Sequence, residues 1–206
     1  MRSHLPEATW TPLVAKLGYS FGFLIVILGS QQLFTENTLT VIVPLMAHRT
    51  RRMLAHVARL WTVVLAGNLL GALVFAFVVG RTELFEPDVH HAFTEIGRKA
   101  VSHGFWLTVL KGVFAGWLIA LLVWMLPAAG SAGVLVIVLM TWLVAAGEFS
   151  HIVAGAVEAF YLVARGEMGI LDSLGRFILP TLLGNVLGGV TLVSALNHAQ
   201  VTAGRT

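Results

Sequence analysis

Glu148-Phe149-Ser150-His151 is the stretch of this sequence best equipped for chemistry. A carboxylate and an imidazole three residues apart can act as acid and base, hold a metal, or meet an ion, and here they sit inside a long apolar run. Between Gly133 and Arg165 the only acidic, basic or histidine residues are Glu148, His151 and Glu158. As one helix that run would be about 48 Å long at 1.5 Å per residue, against a bilayer core of about 30 Å. It is too long for one simple span and too apolar for a loop, so the expectation is a helix broken near Gly147 and the Glu-Phe-Ser-His stretch. Broken helices that meet near the midplane build substrate sites in transporters, and an ionisable group at that depth is a functional candidate by default.

The same Glu-x-x-His spacing on an unbroken helix would place both side chains on one face, as in di-iron carboxylate bundles. Such a site needs two of these motifs and two further carboxylates. Glu95 and Glu158 are instead followed three residues later by Arg98 and Tyr161. No metal, no cofactor and no enzymatic activity are therefore expected. No nucleotide-binding motif is present, which argues against a primary pump. No nucleic-acid partner is expected either.

The elements that position this stretch follow from composition. The 206 residues are 57% hydrophobic and 11% charged, with mean hydropathy +0.87; a soluble domain carries about 25% charged residues. The chain reads as one all-α integral membrane domain, 1–206, in a lipid bilayer. It has no cysteine and hence no disulfide or thiolate metal site. Residues 1–16 are too polar for a signal peptide.

A second overlong run, Leu17 to Ala47, carries a polar centre from Ser30 to Thr38 with the single charge Glu36. Unsatisfied polar groups in hydrocarbon cost several kcal/mol each, so a half-helix to about Gly29, a re-entrant loop at about Ser30–Asn37 and a second half-helix from about Thr38 are predicted. Residues 48–59 form a short loop with Arg49, Arg51, Arg52, Arg59 and no acid, cytoplasmic by the positive-inside rule. Leu60–Val79 is a clean span in which Gly67 and Gly71 have the small-x-x-x-small spacing of close helix approach. A mixed-charge loop over 81–104 precedes the span Phe105–Leu126. A turn at Pro127–Ala132 leads into the broken run, a short loop follows over 165–176, and Phe177–Leu196 is the last span.

A broken helix followed by a Gly-Asn-x-Leu-Gly helix occurs twice, at 17–79 and within 105–196. The second unit has a plain helix before its broken one; the first does not. Three helices per unit give the two units opposite topology, so an inverted repeat with five of six helices present is expected. A cytoplasmic 48–59 loop places the C-terminus inside and Met1 outside. Without a translocation signal ahead of Met1, the expectation is that a first helix is missing from this sequence.

Leu33-Phe34-Thr35-Glu36-Asn37 resembles the Leu-Phe-Thr-Gly-Asn loop of the formate/nitrite transporter family, and Phe149-Ser150-His151-Ile152-Val153-Ala154-Gly155 its Phe-Glu-His-Ser-Ile-Ala-Asn segment. Gly67-Asn68…Gly71 and Pro180…Gly184-Asn185…Gly188-Gly189 resemble its third and sixth helices, in the family's order, so the likeness runs from Leu17 to Leu196. The resemblance implies an aquaporin-like six-helix protomer of an inner-membrane homopentamer, each protomer with its own pore for small monovalent anions such as formate, nitrite or hydrosulfide. It places His151 deep in that pore as the group that protonates or hydrogen-bonds the anion, with Phe149 beside it and Leu33, Phe34 and Thr35 at the cytoplasmic constriction. The departures are Glu36 for the family glycine, Ser150 for its glutamate and Gly116 for an asparagine of its fourth helix. Lys99 is the nearest counterpart of a family lysine.

The supporting residues have readings of their own. Asn68 and Asn185 are expected to hydrogen-bond the two broken segments, Thr35 and Asn37 either to satisfy loop backbone or to contact the substrate, and Glu36 to cap the half-helix near Thr38, where the dipole favours an acid. Lys111, costly if unpaired at such depth, is expected to pair with Glu148 or Glu158, the other readings being that it snorkels or attracts anions. The reading that competes with anion transport is a transport-dead relative with a structural or assembly role.

Overall fold

Both overlong runs break at their polar centres, and they break in the same way. The computed structural model describes residues 8–47 and 50–203, and its elements among them are helical. Helix α1 (Thr11–Ala15) leads into α2 (Leu17–Leu28), and after a short crossing α3 (Phe34–Thr40) and α4 (Ile42–Ala47) complete the first broken helix. Helix α5 (Arg51–Arg81) and helix α6 (Pro87–Ala100) precede α7 (Phe105–Ala129). A turn at Gly130–Ala132 reverses the chain into α8 (Gly133–Ala146), and α9 (Ile152–Ala164) continues beyond the second break. The short α10 (Ile170–Ser173) and a π-helical turn over Leu174–Ile178 then feed α11 (Leu179–Ala203).

The first half of each broken helix ends in the same hydrogen-bonded turn. At α2, Gln31 N–H donates to Val26 O and Ser30 N–H to Ile27 O, both at 3.0 Å; at α8, Phe149 N–H donates to Val144 O (3.0 Å) and Glu148 N–H to Ala145 O (3.1 Å). This paired closure of the last carbonyls requires a left-handed residue just past the helix end. Ser30 and Glu148 fill that position at φ +53° each, where an L side chain costs roughly 1–2 kcal/mol. Ser30→Gly should therefore stabilise the protein by about 1 kcal/mol, net of the freer unfolded chain. Thermal unfolding in detergent reads this out, and an unchanged or lower midpoint would contradict the strain.

Several predicted boundaries move. The expected loop over 48–59 is largely helix: α5 starts at Arg51 behind the Thr50 N-cap, whose Oγ1 accepts from Met53 N–H at 3.2 Å. Arginine is a good helix former whose charge ends in water while its stem stays on the helix; His48 and Arg49 lie outside the described residues. The expected loop over 81–104 contains α6, with Pro87 and Asp88 in its first turn and Arg98 and Lys99 in its last, as the helix dipole favours. Pro127 lies within α7, and the turn after it falls at Gly130, which has φ +51°. The segment 165–176 holds α10 and most of the π-helical turn instead of being a plain loop.

Among the described residues four helical stretches are long and apolar enough to cross a membrane, namely Thr11–Leu28, Arg51–Arg81, Phe105–Ala146 and Ile170–Leu192, and α9 is a shorter apolar helix. Large apolar side chains such as Ile25, Leu70 and Trp106 stand exposed on the outside, as in a multi-pass membrane protein. The interior is closed by backbone approach. α7 and α11 meet across glycines, and a Cβ on Gly116 would lie 3.0 Å from Asn185 Cα. The family asparagine expected at 116 would have no room in this packing.

Candidate functional site

The two breaks are held by two asparagines. Asn68 of α5 accepts through Oδ1 from Phe34 N–H (2.9 Å) and donates through Nδ2 to Gln32 O (3.0 Å). Asn185 of α11 accepts from Ile152 N–H (2.9 Å) and donates to Ser150 O (2.8 Å). Each asparagine thus serves as a remote N-cap, meeting an orphan amide at the start of the second half-helix and the carbonyl two residues before it. Asn185 has a third bond, to Gly112 O of α7 at 2.9 Å, and is fully buried. Within one protomer, no atom of another described element lies within 4 Å of a Cβ built on Gly67 or Gly71 of α5. The close crossing is made on α11, where α7 supplies the facing backbone.

Because Phe34 begins a helix, Phe34, Thr35, Glu36 and Asn37 lie on α3 and not in a re-entrant loop, which shortens to 29–33. Leu33 and His151 therefore occupy the same place in the two breaks, the last residue before the helix. His151 is 2% exposed, and its Nδ1 accepts from Ala154 N–H at 3.3 Å. That bond needs a lone pair on Nδ1, so the proton of the neutral ring sits on Nε2. Nε2 lies 2.7 Å from Thr35 Oγ1 and is the donor. Thr35 keeps its own hydroxyl proton to give. The contact joins the starts of the two inner half-helices, α3 and α9. Phe23 packs edge-on to the imidazole with ring centroids 5.1 Å apart, and Leu33 and Phe149 belong to the same apolar cluster as Phe23. Phe149 also stacks on Phe114 at 5.2 Å.

Other candidates stand elsewhere. Phe34 is buried in a separate core cluster, edge-on to Trp61 at 5.8 Å. Asn37 closes the first break locally by donating to Leu33 O (2.9 Å) and Gln32 Oε1 (3.1 Å). Glu36 does not cap a helix at Thr38: it lies in the first turn of α3, and its Oε1 is buried without a hydrogen bond.

The expected pairing of Lys111 with a carboxylate is replaced by a different arrangement. Lys111 Nζ donates to the backbone carbonyl of Glu148 at 3.1 Å. The Glu148 carboxylate is taken by Lys99 at 2.6 Å and Lys16 at 3.3 Å, and Lys16 also donates to Ala146 O. No ion pair to Glu158 occurs among the described residues. Burial and then the neighbouring Lys111 ammonium hold the His103 imidazole below its ordinary pKa. The left-handed turn at Glu148 also takes Glu148 and His151 off any common helix face, so the Glu-x-x-His spacing does not form a paired ligand set. Sequence reasoning missed Lys16 and His103. Lys16 bonds to a residue 132 positions away, and nothing local marks it beyond being the last charge before an apolar run.

Comparison with known proteins follows the same lines. A family model described as Formate/nitrite transporter matches residues 1–199. The inner membrane protein YfdC of Escherichia coli K12 is 44% identical over 189 residues, covering 92% of this chain and 61% of YfdC. The formate channel BtFdhC of Bacillus thuringiensis is 27% identical over 199 residues, covering 92% of this chain and 74% of that protein. A solved pentameric formate channel with formate bound superposes with a TM-score of 0.79 at 22% identity, over 93% of this chain and 84% of that one. The chain thus spans about three-fifths of the length of YfdC.

Proposed function

The chain belongs to the formate/nitrite transporter family, and from that premise we propose that it conducts small monovalent anions of the formate or nitrite class through a pore in each protomer of a homopentamer. The observation that carries the reading is the 2.7 Å contact between His151 Nε2 and Thr35 Oγ1. It joins the two broken helices at their inner ends, with no charged side chain in the contact. An ion taken out of water loses several kcal/mol of hydration, and this pair offers a partial replacement. The hydroxyl proton of Thr35, polarised by the imidazole N–H, is available to an anion at the constriction. The N-terminus of α9 adds a partial positive charge there. Leu33 and Phe149 bound this passage as apolar walls, with Phe34 backing the first break from the core.

The proton involvement in this reading centres on His151. Nδ1 is the basic atom of the neutral ring, and a proton taken up there exchanges the Ala154 bond for a cationic imidazole facing the anion. Lys99 and Lys111 supply positive charge at the Glu148 end of the passage. The arginine-bearing start of α5 and the C-terminus lie on the cytoplasmic side by the positive-inside rule, in a bacterial inner membrane like that of YfdC. The units 17–79 and 105–196 act as two halves around the pore.

The test is uptake of formate, nitrite and hydrosulfide by proteoliposomes, comparing wild type with Thr35→Val. The variant keeps the shape and loses the hydroxyl, so flux should fall about fivefold, the equivalent of one net hydrogen bond of about 1 kcal/mol. Wild-type flux with an unaffected variant would remove Thr35 from the mechanism. No flux for any of the three anions would favour a structural or assembly role.

A further inference from the structure

We infer that the carboxylate of Glu148 is a tethered occupant of an anion site built by Lys16, Lys99 and Lys111, one that competes with the transported anion for these lysines. The inference rests on the transport reading above and adds to it the control of access. The three lysines come from separate elements, the junction before α2, the end of α6 and the first two turns of α7, and all three converge on one residue. Lys99 Nζ is 2.6 Å and Lys16 Nζ 3.3 Å from Glu148 Oε1, while Lys111 Nζ is 3.1 Å from the Glu148 carbonyl. Among the described residues a single carboxylate serves the cluster, so its positive charge there exceeds its negative charge.

The fit is chemical as well as electrostatic. The end of a glutamate side chain and a formate ion present the same planar pair of oxygens with the same single charge, and an ammonium bonds either one. The Glu148 side chain is 37% exposed, so an anion from water can reach these nitrogens. Its place in the chain is three residues ahead of His151, with Phe149 between them, at one end of the proposed passage. The backbone holds it there in a left-handed conformation at φ +53°, where glycine would sit with less strain. An acid in that position raises the anion concentration needed to occupy the lysines. It leaves the constriction at His151 and Thr35 untouched.

The test measures formate uptake by proteoliposomes as a function of formate concentration, with formate-dependent thermal shift in detergent as a readout that needs no transport. Glu148→Gln keeps the size and removes the charge. The expected result is a KM lower by about two- to fivefold, the range for a partly exposed ion pair, at unchanged maximal flux. The half-saturating formate in the thermal shift should fall in parallel. In the Lys99→Met background the Glu148→Gln effect should shrink, because the strongest of the contested contacts is gone. Glu148→Gly, which also relieves the backbone, serves if the glutamine variant folds poorly. A KM and a half-saturating formate in the thermal shift both equal to or above wild type, in a protein that transports formate, overturn the tethered occupant and leave the transport reading intact. Absent flux with a lowered half-saturating formate does the reverse.

Discussion

Replacing His151 with alanine should lower formate flux by about tenfold or more and flatten its dependence on pH. The imidazole is the buried donor to Thr35 at 2.7 Å, oriented by the Ala154 amide at 3.3 Å. A hydrogen bond that serves a charged group is worth about 1.5–3 kcal/mol, and each 1.4 kcal/mol is a factor of about ten. Alanine also deletes the titrating atom of the pair, since Thr35 does not ionise in the accessible pH range. His151→Phe keeps a ring against Phe23 and separates shape from chemistry: if the histidine acts through its nitrogens, both variants lose flux together. Proteoliposome uptake measured as a function of pH for wild type and both variants checks this. Full flux with a wild-type pH profile in either variant would reduce His151 to a packing residue.

Asn185→Leu should be the most damaging single change to stability, and Asn68→Leu clearly milder. Asn185 is fully buried and satisfies Ile152 N–H, Ser150 O and Gly112 O. Leucine leaves all three without that partner, at about 1–3 kcal/mol for each buried group, so a loss of about 3 kcal/mol or more is expected. Asn68 satisfies two groups, Phe34 N–H and Gln32 O, in a partly exposed setting, and about half that loss is expected. Thermal unfolding of both variants in detergent gives the comparison. Equal losses would mean that the bond from Asn185 to α7 contributes nothing. Because the asparagines hold the breaks that present Leu33 and His151, flux should fall with stability in both.

Hydrophobicity is a local, summed property, and what rests on it could be read directly from the residues. A run as apolar as 133–164 interrupted by Glu148 and His151 has few ways to sit in a bilayer, and the break near Gly147 follows. The same holds for Ser30–Thr38 inside the first run, and for the motifs around Asn68 and Asn185 that mark the family. α6 is expected as a loop instead: Pro87, Asp88, Arg98 and Lys99 fit helix ends, but its charge density reads equally well as a loop.

What the tertiary structure decided are the bonds between distant residues. Phe34 begins a helix because an asparagine 34 residues away meets its amide, which places Thr35 and Glu36 on that helix and Phe34 in the core. Glu148 pairs with Lys16 across 132 residues and with Lys99 across 49, while Lys111 turns to a carbonyl that no spacing rule could name. Gly67 and Gly184 look equivalent in sequence and differ in surroundings, since α7 lies against the second and none of the described elements lies against the first. Caps and ion pairs form wherever the packed backbone brings a donor to an acceptor. That proximity is a property of the fold, absent from any local window of the chain.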